Sequence, residues 1–263
     1  MKRHLIWIVL SVCVLALLTM PTYSSEKGSA KKPAPDDCLK MLKEGNARFV
    51  AGKSLHPHSD TARLKQAGSE NQKDHAYATV LSCSDSRVPV ELIFDAGVMD
   101  LFVVRVAGNV ANVDETGSIE YGLAHVNTPI LVVLGHTQCG AVTAVVEAAQ
   151  GKGHALERNI PPLVAPIKPA VTRAMTLHPE AKGEAIIPYC EEENVWQAIE
   201  DLFMKSPAVR HLVATKGAVV VGAIYDVGTG KVNWLPESKV GDILKKVSES
   251  PDRALNPMAE TKR

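Results

Sequence analysis

The chain has 263 residues, 46% hydrophobic and 22% charged, a length and balance that suit one sizeable α/β domain or two small ones. Lys plus Arg and Asp plus Glu number 29 each. That balance leaves no basic footprint for nucleic acid and no single-signed field to steer a charged partner.

Lys2, Arg3 and His4 open the chain with positive charge, and Leu5 to Met20 follow as an apolar run without a charge. This is the pattern of a secretory signal peptide over residues 1–24, with cleavage near Thr22-Tyr23-Ser24 or as late as Gly28-Ser29-Ala30. The run is short of the ~20 residues a spanning helix needs, so no stable membrane span is expected after cleavage. The expected destination lies across the inner membrane, in the periplasm. Residues 25–35, rich in Ser, Lys, Pro and Gly, read as a flexible linker. A single domain is expected over 36–247 and a loose C-terminal tail over 248–263.

Asp36 and Asp37 precede Leu39, Met41, Leu42, Ala47 and Phe49 at helical spacing, and Gly52 closes that first helix. Short apolar runs at Tyr77 to Ser82, Leu101 to Val106, Ile130 to Leu134 and Val219 to Tyr225 predict four buried strands. Between and after them lie helical patterns at Val88 to Phe94, Ser118 to Val126, Ala141 to Gln150, Pro162 to Met175, Glu191 to Met204, Pro207 to Thr215 and Lys239 to Val247. Gly228-Thr229-Gly230 turns the chain so that Val232 to Leu235 returns beside the fourth strand. The predicted fold is α/β: a mostly parallel sheet of four strands plus an antiparallel edge strand, with helices on both faces.

Two segments carry chemistry, and both follow predicted strands, the edge of an α/β sheet where ligands bind. The first is Cys83-Ser84-Asp85-Ser86-Arg87; alone it reads equally well as a buried Cys beside a structural ion pair. The second is His136-Thr137-Gln138-Cys139-Gly140, and a lone H-x-x-C is a weak metal signal. Together they offer two thiolates and an imidazole, donors that zinc prefers, and three protein ligands leave a fourth position open, as in catalytic zinc sites. No G-x-G-x-x-G follows the first strand, which removes a dinucleotide-binding reading.

These segments, with Arg105-Val106-Ala107-Gly108-Asn109, Gly117-Ser118-Ile119-Glu120-Tyr121-Gly122 and the Gly135-to-Val142 stretch, resemble the β-class carbonic anhydrases in order and spacing, over about Leu42 to Leu235. The resemblance implies zinc on Cys83, His136 and Cys139, an Asp85–Arg87 dyad, and a homodimer or a larger assembly of dimers. The implied reaction is the reversible hydration of carbon dioxide to bicarbonate and a proton. Two thiolates already cancel the charge of zinc, so the metal acidifies its water less than in a neutral-ligand site. An ionised Asp85 would accept the hydrogen bond of the hydroxide and aim it at carbon dioxide, and Arg87 would hold Asp85 in place. In part of the family the matching Asp swings onto the zinc, which makes Asp85 a fourth candidate ligand.

Val88, Phe94, Val106, Ala107 and Tyr121 are apolar enough to line a pocket for a small gas, although each also suits an ordinary core. Gly108 lets the backbone approach the site closely. Gln72 lies near the position of a family Gln that lines the pocket across the dimer interface. Val80 stands where members with an inhibitory bicarbonate site carry Trp, which argues against that regulation. His75, His125, His154 and His211 are candidate proton shuttles. Cys38 and Cys190 are either a disulfide or free thiols. Two rival readings share the scaffold: a hydrolase acting on carbon disulfide or carbonyl sulfide, and a non-catalytic zinc- or bicarbonate-binding protein.

Overall fold

Val, Ile and Leu dominate the strand segments, and the chain pairs them into one sheet with both faces covered. The structure, a computed structural model, describes residues 32–259. The signal segment and residues 25–31 of the expected linker lie outside the described residues. The strands are β1 (Ala78–Ser82), β2 (Leu101–Arg105), β3 (Ile130–His136), β4 (Val219–Tyr225) and β5 (Val232–Trp234). Their order is β2-β1-β3-β4-β5, with β5 antiparallel to β4 and the other pairs parallel. This is the predicted sheet. Strand β3 runs two residues beyond the expected end, so His136 is its last residue.

The helices are α1 (Pro35–Val50), α2 (Thr61–Ala67), α3 (Val90–Ile93), α4 (Val113–Ala124), α5 (Gly140–Ala149), α6 (Ile160–Val164), α7 (Lys168–Leu177), α8 (Ile187–Lys205), α9 (Pro207–Ala214) and α10 (Glu237–Glu249). Helix α2 was not expected; Asp60 starts it, its carboxylate accepting the Arg63 amide at 2.8 Å. Helix α3 begins later than predicted because Pro89 disfavours helical geometry at Val88. Helix α4 begins five residues earlier, at a capping arrangement in which the Asn112 amide donates to Glu115 Oε2 at 3.0 Å. The predicted helix over 162–175 is broken into α6, a 3₁₀ turn and α7, since Pro166 and Pro169 each remove a backbone donor. At its ends the domain is wider than 36–247. Lys32 donates to the carbonyl of Asn127 at 3.1 Å, α1 starts at Pro35, and α10 extends to Glu249. The expected loose tail is tied down at Ala254, whose amide donates to Met204 O at 2.9 Å. No helix among the described residues is long and apolar enough to cross a membrane.

Alternate strand residues face opposite layers. Leu81, Leu131, Val133 and Val220 pack with α4, α8, α9 and α10 on one face. Ala78, Val80, Ile130, Val132, Leu134, Val221 and Ala223 pack with α1 and α3 on the other. A third apolar cluster gathers Cys83, Cys139 and Cys190 beneath α5, α6 and α7.

Buried Asn46 joins three of these parts. Its Nδ2 donates to Ile93 O at 3.1 Å and Gly230 O at 2.9 Å, and its Oδ1 accepts from Val232 N at 2.9 Å. Asn46→Leu keeps the bulk but strands the buried groups of Ile93 and Val232. An unsatisfied buried group costs ~1–3 kcal/mol, so a loss of about 2–5 kcal/mol is expected in a denaturant unfolding curve. A loss near zero would show that α1 and β5 are held by apolar contacts alone.

Candidate metal centre

The chain runs from β1 outward to β2, then crosses back so that β3 lies on the other side of β1. Connections thus leave β1 and β3 in opposite directions, which opens a crevice at their carboxyl ends, where α/β sheets take ligands. Cys83 directly follows β1 and His136 ends β3, while Cys139 caps the start of α5. All three are buried, and their ligand atoms lie within 4.8 Å of one another.

The imidazole is set for a metal by one hydrogen bond. Its Nδ1 lies 3.0 Å from Thr137 O. A carbonyl only accepts, so Nδ1 carries a proton, and the neutral form of the ring presents its lone pair at Nε2. Nε2 is buried and has no hydrogen-bond partner. A buried polar atom left unpaired costs free energy unless something binds it, and two thiols stand beside it. The donor set therefore fits a thiophilic metal ion.

The two thiols shift each other in opposite directions. The Cys139 thiol holds Cys83 well below the ordinary thiol range, and the Gly108 amide adds a hydrogen bond to Cys83 Sγ at 3.3 Å. Cys139 is pushed up by its hydrogen bond with Cys83 and by burial. Gly108 has φ +75°, and a Cβ there would stand 2.8 Å from Ile167 Cδ1 and 3.0 Å from Ala141 Cβ. The expected close backbone approach is therefore real, and glycine is what permits it.

At the rim, Asp85 and Arg87 form the expected pair in fork geometry. Arg87 Nε donates to Oδ1 at 3.0 Å, Nη2 donates to Oδ2 at 2.7 Å, and the Arg87 amide donates to Oδ1 at 2.9 Å. The guanidinium holds the Asp85 carboxyl below the usual carboxylate range. Asp85 is not among the residues whose ligand atoms cluster with the sulfurs. Arg87 does more than the sequence suggested: it also donates to Gln138 O at 3.0 Å and Oε1 at 3.3 Å, joining the two motifs. Gln138 itself sits at φ +60°. Arg105, read only as part of a motif, braces the first loop from β2. Its Nε donates to Cys83 O at 3.0 Å and its Nη2 to Asp85 O at 2.7 Å.

The softer expectations fare unevenly. Val88 is buried directly behind the dyad, its amide donating to Asp85 O at 3.0 Å. Phe94 belongs to the α1–α3 layer, 6.2 Å from the Trp234 ring. Tyr121 is half exposed on α4, stacked on His125 at 5.3 Å, and is not brought to the metal centre within this protomer. Gln72 is exposed in a 3₁₀ turn before β1. The strand between it and Cys83 spans about 16 Å at 3.3 Å per residue, so Gln72 cannot line the site of its own chain. His75 binds Glu70 at 2.8 Å, and His154 and His211 are exposed; none of the four candidate histidines bonds to the metal centre. Cys38 and Cys190 are free thiols in separate clusters, which removes the disulfide alternative. Cavities of about 430 and 420 Å³ lie elsewhere, one between α1 and residues 57–77 and one against α5 and α7. The donor chemistry of Cys83, His136 and Cys139, not cavity volume, marks the site.

Sheet and donor set together define an α/β protein with a three-donor metal centre at its switch point. A family model for carbonic anhydrases matches residues 78–232. The carbonic anhydrase of Mycolicibacterium smegmatis is 38% identical over 210 residues, covering 80% of this chain and 96% of that one. The solved β-carbonic anhydrase CafA of Aspergillus fumigatus superposes with a TM-score of 0.59 at 26% identity, over 81% of this chain and 97% of that one. A tetrameric β-carbonic anhydrase from Sordaria macrospora superposes with a TM-score of 0.56 at 24% identity, over 76% and 97%. The chain belongs to the β-carbonic anhydrase family, and it is an enzyme of that family.

Proposed function

We propose that the protein catalyses the reversible hydration of carbon dioxide to bicarbonate and a proton, with zinc held by Cys83 Sγ, His136 Nε2 and Cys139 Sγ. The observation that carries this reading is the buried, unpartnered His136 Nε2 beside two thiols, with an ionised Asp85 at the rim of the same crevice. Zinc, when bound, supplies the Lewis acidity that makes water a nucleophile near neutral pH.

The chain's own residues do the positioning. Asp85 Oδ1 already accepts two hydrogen bonds from Arg87, whereas Oδ2 accepts one. A carboxylate oxygen has two acceptor sites, so Oδ2 keeps one free. That free site takes the hydrogen bond of the reacting water and fixes its direction of attack. Val88 and the apolar cluster around the cysteines exclude bulk water from one side. Asp85 is partly exposed, which gives the released proton a path to solvent.

Stopped-flow hydration of carbon dioxide by the purified, zinc-loaded chain tests the reading, and rapid turnover is expected. Zinc-loaded protein that leaves carbon dioxide unhydrated but hydrolyses carbon disulfide or carbonyl sulfide would move the assignment to that chemistry. We propose further that the active form is a homodimer or an assembly of dimers across the open edge of β2. Support comes from the exposed Tyr121 beside that edge, from Gln72, which only another chain's site could use, and from the tetrameric Sordaria macrospora relative. The charged start and apolar run of residues 2–20 support export to the periplasm. Sedimentation of the mature chain and sequencing of its N-terminus check both points; a monomer, or an intact Met1, would refute the respective one.

A further inference from the structure

Helix α8 touches both halves of the metal centre from behind. It can do so because Gly135, the residue before His136, has no side chain: a Cβ there would stand 2.7 Å from Val195 Cγ2 on α8. From that seat Glu191 Oε1 accepts the Cys139 amide at 2.9 Å. One turn on, Asn194 Nδ2 donates to Gly108 O at 2.8 Å, and the Gly108 amide donates to Cys83 Sγ at 3.3 Å. Residues three apart share a helix face, so one side of α8 addresses both sulfur ligands.

Burial sets these two residues apart from ordinary helix polars. Glu191 is 3% exposed and Asn194 1%. Among the described residues Glu191 has no Lys or Arg in ion-pair range, whereas Glu193 on the same helix pairs with Arg173 and Lys239 at 2.9 Å each. A buried carboxylate without a cation is costly, and packing alone would favour an apolar residue there. What Glu191 does hold is the peptide of a metal ligand.

We infer that Glu191 and Asn194 are positioning residues for the metal centre, Glu191 fixing the peptide of Cys139 and Asn194 fixing the Gly108 peptide that reaches Cys83 Sγ. The inference rests on the zinc reading of Cys83, His136 and Cys139. Groups that orient metal ligands are worth ~10–100-fold in metal affinity, and that is the effect expected of each residue.

The test follows zinc release from the loaded, full-length protein to a chromogenic chelator, with the absorption spectrum of the cobalt-substituted protein as second readout. Glu191→Leu and Asn194→Leu are expected to speed zinc loss about 10–100-fold and to shift the thiolate-to-cobalt bands. Glu191→Gln keeps a carbonyl acceptor and is expected to restore retention. Glu193→Leu, equally part of α8 but bonded away from the site, is the control for mere helix destabilisation and is expected to release zinc at the parent rate. Should the leucine variants fail to fold, Asn194→Asp carries the test, since it replaces the donor facing Gly108 O by an acceptor at unchanged size. Parent-like release from Glu191→Leu or Asn194→Asp overturns the inference, as does zinc loss from Glu193→Leu equal to that from Glu191→Leu. A parent that retains zinc in this pattern yet leaves carbon dioxide unhydrated overturns the proposed function and leaves the α8 assignment standing. A parent that takes up no zinc overturns both.

Discussion

Replacing His136 by Ala is expected to reduce carbon dioxide hydration by more than about 100-fold and to leave the purified chain largely free of zinc. The bound follows from scale: losing a group that merely orients a metal ligand costs ~10–100-fold, and losing the ligand itself costs more. His136 also has no substitute nearby, since Cys83, His136 and Cys139 are the one such ligand cluster among the described residues. The fold should survive, because His136 ends β3, and the seven residues of that strand stay paired to β4 through the backbone. Zinc analysis, circular dichroism and the hydration assay on one sample separate these effects. Chelation of the parent should reproduce the loss, and added zinc should reverse it. Near-parent activity in the variant would remove the metal centre from the mechanism.

Arg87→Ala is expected to lower activity by ~100-fold while zinc content stays near that of the parent. The sign of the electrostatics decides what such a loss means. Arg87 holds the Asp85 carboxyl below its ordinary range. Without Arg87 the group returns toward ~3.9, still far below neutral pH. Asp85 therefore stays ionised at pH 7 in the variant, and the loss measures orientation and not charge. Three hydrogen bonds to Asp85 and two to Gln138 come from this one residue, so its removal frees both loops at the rim. A misplacement of about 1 Å at a reacting group can cost ~10² in rate. Asp85→Asn, which keeps the shape but halves the acceptor capacity facing water, is expected to fall comparably. Full activity in Arg87→Ala would end the dyad argument.

The strands were legible in the sequence because a strand buried on both faces must be apolar along its whole length, as Ile130 to Leu134 and Val219 to Tyr225 are. Helix starts were less legible. The capping pair Asn112–Glu115 and the cap at Asp60 are local signals that periodicity does not weigh, and four prolines over 161–169 broke a helix that spacing alone would continue. The fold class was legible in the apolar runs, and two short motifs, through their resemblance to the β-class carbonic anhydrases, implied the metal donors and the Asp85–Arg87 pair. Only the tertiary structure decided that β1 and β3 flank the switch point, that Arg105 and Arg87 brace both loops, and that Glu191 and Asn194 reach the site from α8. Gln72 and Tyr121 were likewise excluded from the chain's own site only by placement. The physical reason is one of range. Periodicity and short motifs report contacts along the chain, whereas these groups meet across 20 to 86 residues of sequence, where packing alone sets the distance.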